Sequence, residues 1–118
     1  MTRDEVLEMC GRFPGSSEEY PFGEGVAVFK VVGRMFALVP LEEGASSISL
    51  KCDPDTALEL RARYPSVRPG YHLNKKHWNT VGLDGSIDAA EVRWMVEHSY
   101  GLVLAGLSRA ARDRLLDR

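Results

Sequence analysis

The chain has 118 residues, 44% hydrophobic and 27% charged, with 15 Lys and Arg against 17 Asp and Glu for a formal net charge of −2. That is one domain of chain, long enough to fold without a disulfide or a structural metal, and too acidic overall to coat nucleic acid indiscriminately. No apolar run approaches the ~18 residues of a membrane span, and Met1-Thr2-Arg3-Asp4-Glu5 is acidic where a secretion signal would be basic and then apolar, so a cytoplasmic protein is expected.

Thr2 and Glu5 form a capping box, in which hydroxyl and carboxylate satisfy each other's backbone N–H, so a helix starts there. Val6, Leu7 and Cys10 give it an apolar stripe, and Pro14-Gly15 ends it. Glu18 to Gly23 reads as a connector, with Tyr20 and Phe22 folding back on the core. Val26 to Val31 is β-branched and short, a strand; Val32-Gly33-Arg34 is a tight turn, and Met35 to Val39 returns as a second strand stopped by Pro40. A polar loop runs from Leu41 to Ser47. In the third strand Ile48, Leu50 and Cys52 alternate with Ser49 and Lys51, which predicts one buried and one solvated face, hence an antiparallel sheet.

Asp53-Pro54 places a carboxylate cap before a proline at the first helical position. The helix should run to Tyr64, burying Ala57, Leu58 and Leu60. A short strand around Tyr71–Leu73, a turn at Asn74-Lys75-Lys76 and a strand over His77–Val81 follow. Asp88 and Glu91 repeat the capping-box spacing, and Val92, Met95, Val96, Ser99, Val103 and Leu104 stripe a long helix on which Trp94 and His98 form a packing pair four residues apart. Ser108 caps a last short helix bearing Arg109, Arg112, Arg114 and Arg118. Counting the hairpin once, the order is α-β-β-β-α-β-α-α: an α+β fold, an antiparallel sheet packed on one face by its N- and C-terminal helices.

Chemistry is concentrated in one place. Tyr71 to Val81 holds two His, two Lys, two Asn, a Tyr and a Trp, and no Asp or Glu occurs between Leu60 and Leu83. Five of the 15 Lys and Arg (Arg61, Arg63, Arg68, Lys75 and Lys76) lie in that acid-free window. Cations at a hairpin tip suit phosphate, whose neutralisation releases counterions, and asparagines add hydrogen bonds to phosphate or base edges. Lys30 and Lys51 could extend the patch, whereas Glu42 and Glu43 make the Leu41–Ser47 loop a poor second contact. A Lys-Lys turn can equally be a solvated turn, and Trp78 can anchor the sheet to a helix as well as stack on a base. His72 and His77 lack a third ligand nearby, so no metal is expected. Cys10 and Cys52 have no metal spacing and read as small buried hydrophobes. There is no P-loop, dinucleotide fingerprint, HExxH or nucleophile elbow, so neither a cofactor nor an enzyme is expected.

Pro69-Gly70-Tyr71-His72-Leu73-Asn74-Lys75-Lys76-His77-Trp78-Asn79-Thr80-Val81 resembles the signature of the MmcQ/YjbR family of small bacterial proteins. Tyr20-Pro21-Phe22-Gly23, Leu50-Lys51-Cys52-Asp53-Pro54 and Ser99-Tyr100-Gly101-Leu102-Val103 fit it in order, so the resemblance spans nearly the whole chain. It implies a CyaY/frataxin-like fold and a DNA-binding role, and supplies no catalytic residue. The expected DNA-contacting residues are Arg68, His72, Asn74, Lys75, Lys76, His77 and Asn79, in a monomer acting on double-stranded DNA. Two alternatives remain: the same patch docking an acidic protein surface, and frataxin-like metal chemistry on Asp4, Glu5 and Glu8 of the first helix with Glu18 and Glu19 after it.

Overall fold

The computed structural model describes residues 1–44 and 46–116; Arg118 of the expected arginine face lies outside the described residues. In chain order the elements are α1 (Arg3–Arg12), β1 (Ser16–Glu19), β2 (Val26–Val31), β3 (Arg34–Pro40), β4 (Ser47–Lys51), α2 (Pro54–Arg63), β5 (Val67–Pro69), β6 (Trp78–Gly82), α3 (Ala89–Ala105) and α4 (Arg109–Leu116). The strands form one antiparallel sheet in the order β1-β2-β3-β4-β6-β5. The fold is α+β, as expected, but the order is α-β-β-β-β-α-β-β-α-α.

The two extra strands have local reasons. The β1 segment overlaps the connector expected from Glu18, because Ser-Ser-Glu-Glu carries no β propensity; it pairs at the sheet edge, where Ser16↔Val31 to Glu19↔Val28 supply the ladder. Tyr20 and Phe22 stay 44% and 65% exposed instead of folding onto the core. The strand expected at Tyr71–Leu73 sits at Val67–Pro69, leaving residues 70–77 as a wide loop.

The helix-side core is organised by a bulge. Lys30 pairs with Met35 and Phe29 with Ala37, so Phe36 is the extra residue and is driven onto the same face as Ala37. There it meets Phe13 and Tyr100 edge-on, at ring centroids 5.7 and 5.3 Å away, while Phe13 stacks on Tyr100 at 4.3 Å. Those contacts bring the C-terminus of α1 and the middle of α3 to one face of the sheet. Ser99 Oγ, fully buried, donates to the Phe36 carbonyl and accepts from Lys51 N–H at 2.9 Å, joining α3 to β3 and β4.

The capping box at Thr2 forms with both of its bonds, and Asp53 Oδ2 accepts from Thr56 N–H as the cap of α2. Asp88 makes no side-chain cap on α3; the expected partner Glu91 turns instead to Arg63, 3.6 Å away. Leu58 is 61% exposed, because α2 touches the sheet through the narrower stripe of Ala57 and Leu60. The face of β4 expected to be solvated is partly closed: Ser49 Oγ and Thr80 Oγ1 pair at 2.8 Å across buried positions.

Candidate functional site

The 70–77 loop joins edge strand β5 to β6 and is fixed at both ends. Gly70 N–H donates to the Trp78 carbonyl at 2.8 Å and closes the hairpin. Tyr71 N–H donates to Thr80 Oγ1 at 3.0 Å, and Leu73 N–H returns to the Gly70 carbonyl at 3.3 Å. Asn74 Oδ1 accepts from Lys76 N–H at 2.9 Å, an Asx turn, and the Asn74 carbonyl accepts from His77 N–H at 3.2 Å. At its exit the His77 carbonyl accepts from Cys52 N–H at 2.8 Å, tying the loop to the end of β4. His72 lies at φ +58°, the left-handed region that L residues enter only when their surroundings hold them there.

Beneath the loop stands Arg61, on the inner face of α2. Its Nε donates to Asn79 Oδ1 at 2.7 Å, and its Nη2 donates to the Lys75 carbonyl and, at 3.3 Å, to the Trp78 carbonyl. Asn79 Nδ2 completes the set by donating to the Ala57 carbonyl at 3.4 Å. One guanidinium therefore holds the loop tip, the start of β6 and a buried amide.

This geometry sorts the expected site residues. His72, Asn74, Lys75, Lys76 and His77 are all exposed on the one loop. Lys75 bends back so that Nζ donates to the Gly70 carbonyl at 3.1 Å, placing its charge against the loop backbone. Arg68, also exposed, lines a separate cleft with Ser46, Ser47, Ser66, Gly82 and Asp84, at the other end of β6. Asn79 is corrected outright: it is 2% exposed, and its side chain is bonded to Arg61 and Ala57, so it cannot meet a ligand. Of the supplementary lysines, Lys30 is paired with Glu19 at 3.3 Å, whereas Lys51 lies opposite Trp78 in the ladder and adjoins the loop. Trp78 is 8% exposed and belongs to the fold.

Arg61 is what sequence reasoning missed as an organiser. The signal was present: Arg61 stands one turn beyond Ala57, on the buried stripe of its helix, and Asn79 breaks the apolar pattern of the strand opposite. Two polar residues at core-facing positions call for each other.

Charge is segregated along the sheet. Ser47 pairs with Gly82 and Lys51 with Trp78, so the Glu42–Glu43 loop before β4 and the Lys75–Lys76 loop before β6 lie at opposite ends. Two of the three α1 carboxylates are engaged locally: Glu5 in the capping box, which holds its carboxyl below the usual range, and Glu8 with Arg12. Among the described residues no three His, Cys, Asp or Glu side chains gather as a metal site. Burial pushes the free Cys10 thiol up to about 12 and that of Cys52 up to about 11, so neither presents a thiolate. No helix among the described residues is long and apolar enough to cross a membrane.

His98 gives the site's support a pH dependence. Its ring stacks on Trp94 at 4.8 Å, and its Nε2 accepts from the Asp53 N–H at 3.3 Å, which requires the neutral imidazole. Burial lowers its pKa, against a smaller raising influence of the Asp53 carboxylate. The unfolded chain therefore binds this proton more readily than the folded one. The stabilisation is complete above the ordinary histidine value of about 6.5 and fades as pH falls below it toward the folded value. Denaturation midpoints measured from about pH 7.5 to 5 should fall more steeply for the parent protein than for His98→Gln; parallel curves would remove His98 as the cause.

The YjbR family model matches residues 11–102, a span containing Arg61, the whole 70–77 loop and Asn79. The chain belongs to the YjbR family. Uncharacterized protein YbdF of Escherichia coli O157:H7 is 40% identical over 96 residues, covering 81% of this chain and 79% of that protein. Uncharacterized protein YjbR of Escherichia coli K12 is 38% identical over 100 residues, 85% of each chain. Among solved structures, Deinococcus radiodurans protein DR2400, described by the family-model domain DUF419, superposes with a TM-score of 0.90 at 42% identity, covering 97% of this chain and 87% of that one. The family match ends before α4, so the arginines of that helix lie outside it and the loop lies within it.

Proposed function

We propose that this YjbR-family protein binds DNA through its 70–77 loop, with His72, Asn74, Lys75, Lys76 and His77 as contacts and Lys51 at the flank. The observation that carries the reading is a carboxylate-free cationic loop held from below by a single arginine. Lysines on a floppy turn lose conformational entropy when they bind; a loop braced by Arg61, the Asx turn and the Gly70–Trp78 bond has lost most of it on folding. The acidic loop lies at the far end of the sheet, so it does not oppose phosphate at this one. Arg68 faces a different cleft and is set aside as a contact of this loop.

The frataxin-like kinship is likewise a proposal, supported by α1 and α3 lying together on one face of an antiparallel sheet. Its metal chemistry has less behind it, because Glu5 and Glu8 are already bonded within α1.

The test is fluorescence anisotropy of a labelled random duplex at several salt concentrations, with the parent protein and with Lys75→Ala/Lys76→Ala. Binding should weaken with salt, and the doubly substituted protein should show a log–log slope shallower by about two units. No binding by the parent protein at low salt, to this duplex or to either of its separated strands, removes the reading and turns attention to acidic protein surfaces.

A further inference from the structure

We infer that the nucleic acid this loop recognises is a single strand with unpaired bases, and that the exposed Tyr71–His72 pair is the platform on which a base stacks. The inference rests on the DNA-binding reading above and names the form of DNA bound.

Tyr71 is 72% exposed, although its backbone is well held through Thr80 Oγ1. A large ring held on an ordered backbone but left in water is placed outward rather than merely unpacked. Its neighbour lies against it there: His72, at φ +58°, brings its ring to 3.9 Å from that of Tyr71 at an interplanar angle of 50°. Histidine enters the left-handed region more readily than most residues but still at a cost. A loop that carries this strain to present two rings in tilted contact at its surface is a candidate for function rather than packing. The phosphate-neutralising groups follow in the same loop, and Lys75 Nζ lies on the Gly70 carbonyl, one residue before Tyr71. Stacking surface and cation are thus within one short segment.

That combination discriminates between forms of DNA. In a duplex both faces of every base are covered by its neighbours, and a ring can reach one only by wedging a step apart, which costs several kcal/mol. In a single strand the faces are free, and aromatic stacking together with backbone neutralisation is how such strands are bound with little regard to sequence. A loop offering cations alone would not distinguish the two.

The experiment uses the full chain and three labelled probes of equal length: a mixed-sequence single strand, its duplex, and a strand of abasic sites with the same phosphates. At one salt concentration the parent protein should bind the single strand about tenfold more tightly than either other probe. Tyr71→Ala should bring single-strand affinity down to the abasic level without changing duplex affinity, and Tyr71→Phe should restore it. Lys75→Ala/Lys76→Ala should weaken all three. Because the Tyr71 ring is exposed, its truncation leaves the core intact, which circular dichroism checks. Equal affinity for the base-bearing and abasic strands, or an unaffected Tyr71→Ala, overturns this inference while leaving DNA binding in place. Absence of binding to every probe overturns both.

Discussion

Arg61→Ala is expected to lower the stability of the domain by about 3 kcal/mol, a large share of the 5–15 kcal/mol available to a domain of this kind. Three hydrogen bonds from a charged donor disappear together. The larger part of the loss lies in what remains: Asn79, 2% exposed, keeps a carbonyl oxygen with no donor, and a buried acceptor left unpaired costs more than the bond itself contributed. Arg61→Lys should recover only part of it, since one ammonium cannot reproduce the planar fork that reaches a side chain and two main-chain carbonyls at once. Urea denaturation gives the size of the effect, and a double-mutant cycle with Asn79→Ala separates the pair from its surroundings. If the two substitutions simply add, the residues do not act together and the bracing assigned to Arg61 is wrong. A loss of DNA affinity in Arg61→Ala at temperatures where the domain is still folded would further show that the cations of the loop depend on the arginine beneath them.

Much of this frame could be read from the residues because the signals were local. Thr2 and Glu5, Asp53 and Pro54, and Ser108 are caps whose chemistry is complete within one turn, and each starts a helix where expected. The short β-branched run at Val26–Val31 and the apolar stripe from Val92 to Val103 follow the same logic, and β2 and α3 stand where they were expected. What could not be read depends on partners distant in sequence. Ser16–Glu19 becomes a strand only because β2 offers it an edge. Glu91 leaves its cap for Arg63, which no spacing rule on α3 contains. For the loop, composition marked a segment whose cations the structure leaves exposed together. It also drew in Asn79, because an asparagine among lysines and histidines looks like one more ligand-facing group. The pairing of Leu50 with Asn79, and of Arg61 with Asn79, shows that this asparagine faces the helices. The side-chain direction of Arg68 was equally invisible, since it turns on where the cleft beyond Gly82 opens.

The second large effect concerns Gly70, where an alanine is expected to cost about 2–3 kcal/mol and to disturb the loop as well. A Cβ at this position would lie 2.7 Å from the Trp78 Cβ and 3.0 Å from the Trp78 carbonyl oxygen. Neither atom is the free end of a flexible side chain. Trp78 is held in β6 between β4 and the hairpin, and its carbonyl is the acceptor for Gly70 N–H. The clash is relieved only by moving β5 away from β6, which lengthens that bond. The Gly70 carbonyl moves with it, and it is the acceptor for both Leu73 N–H and Lys75 Nζ. Gly70→Ala should therefore lower the urea midpoint and also weaken the proposed DNA binding, with every cation of the loop still in the sequence. The two readouts separate the role of glycine from that of charge: Lys75→Ala/Lys76→Ala should lose affinity with a nearly unchanged midpoint, while Gly70→Ala loses both. A Gly70→Ala protein with parental stability would mean that the hairpin yields without cost, and the rigidity on which the loop's proposed function depends would go with it.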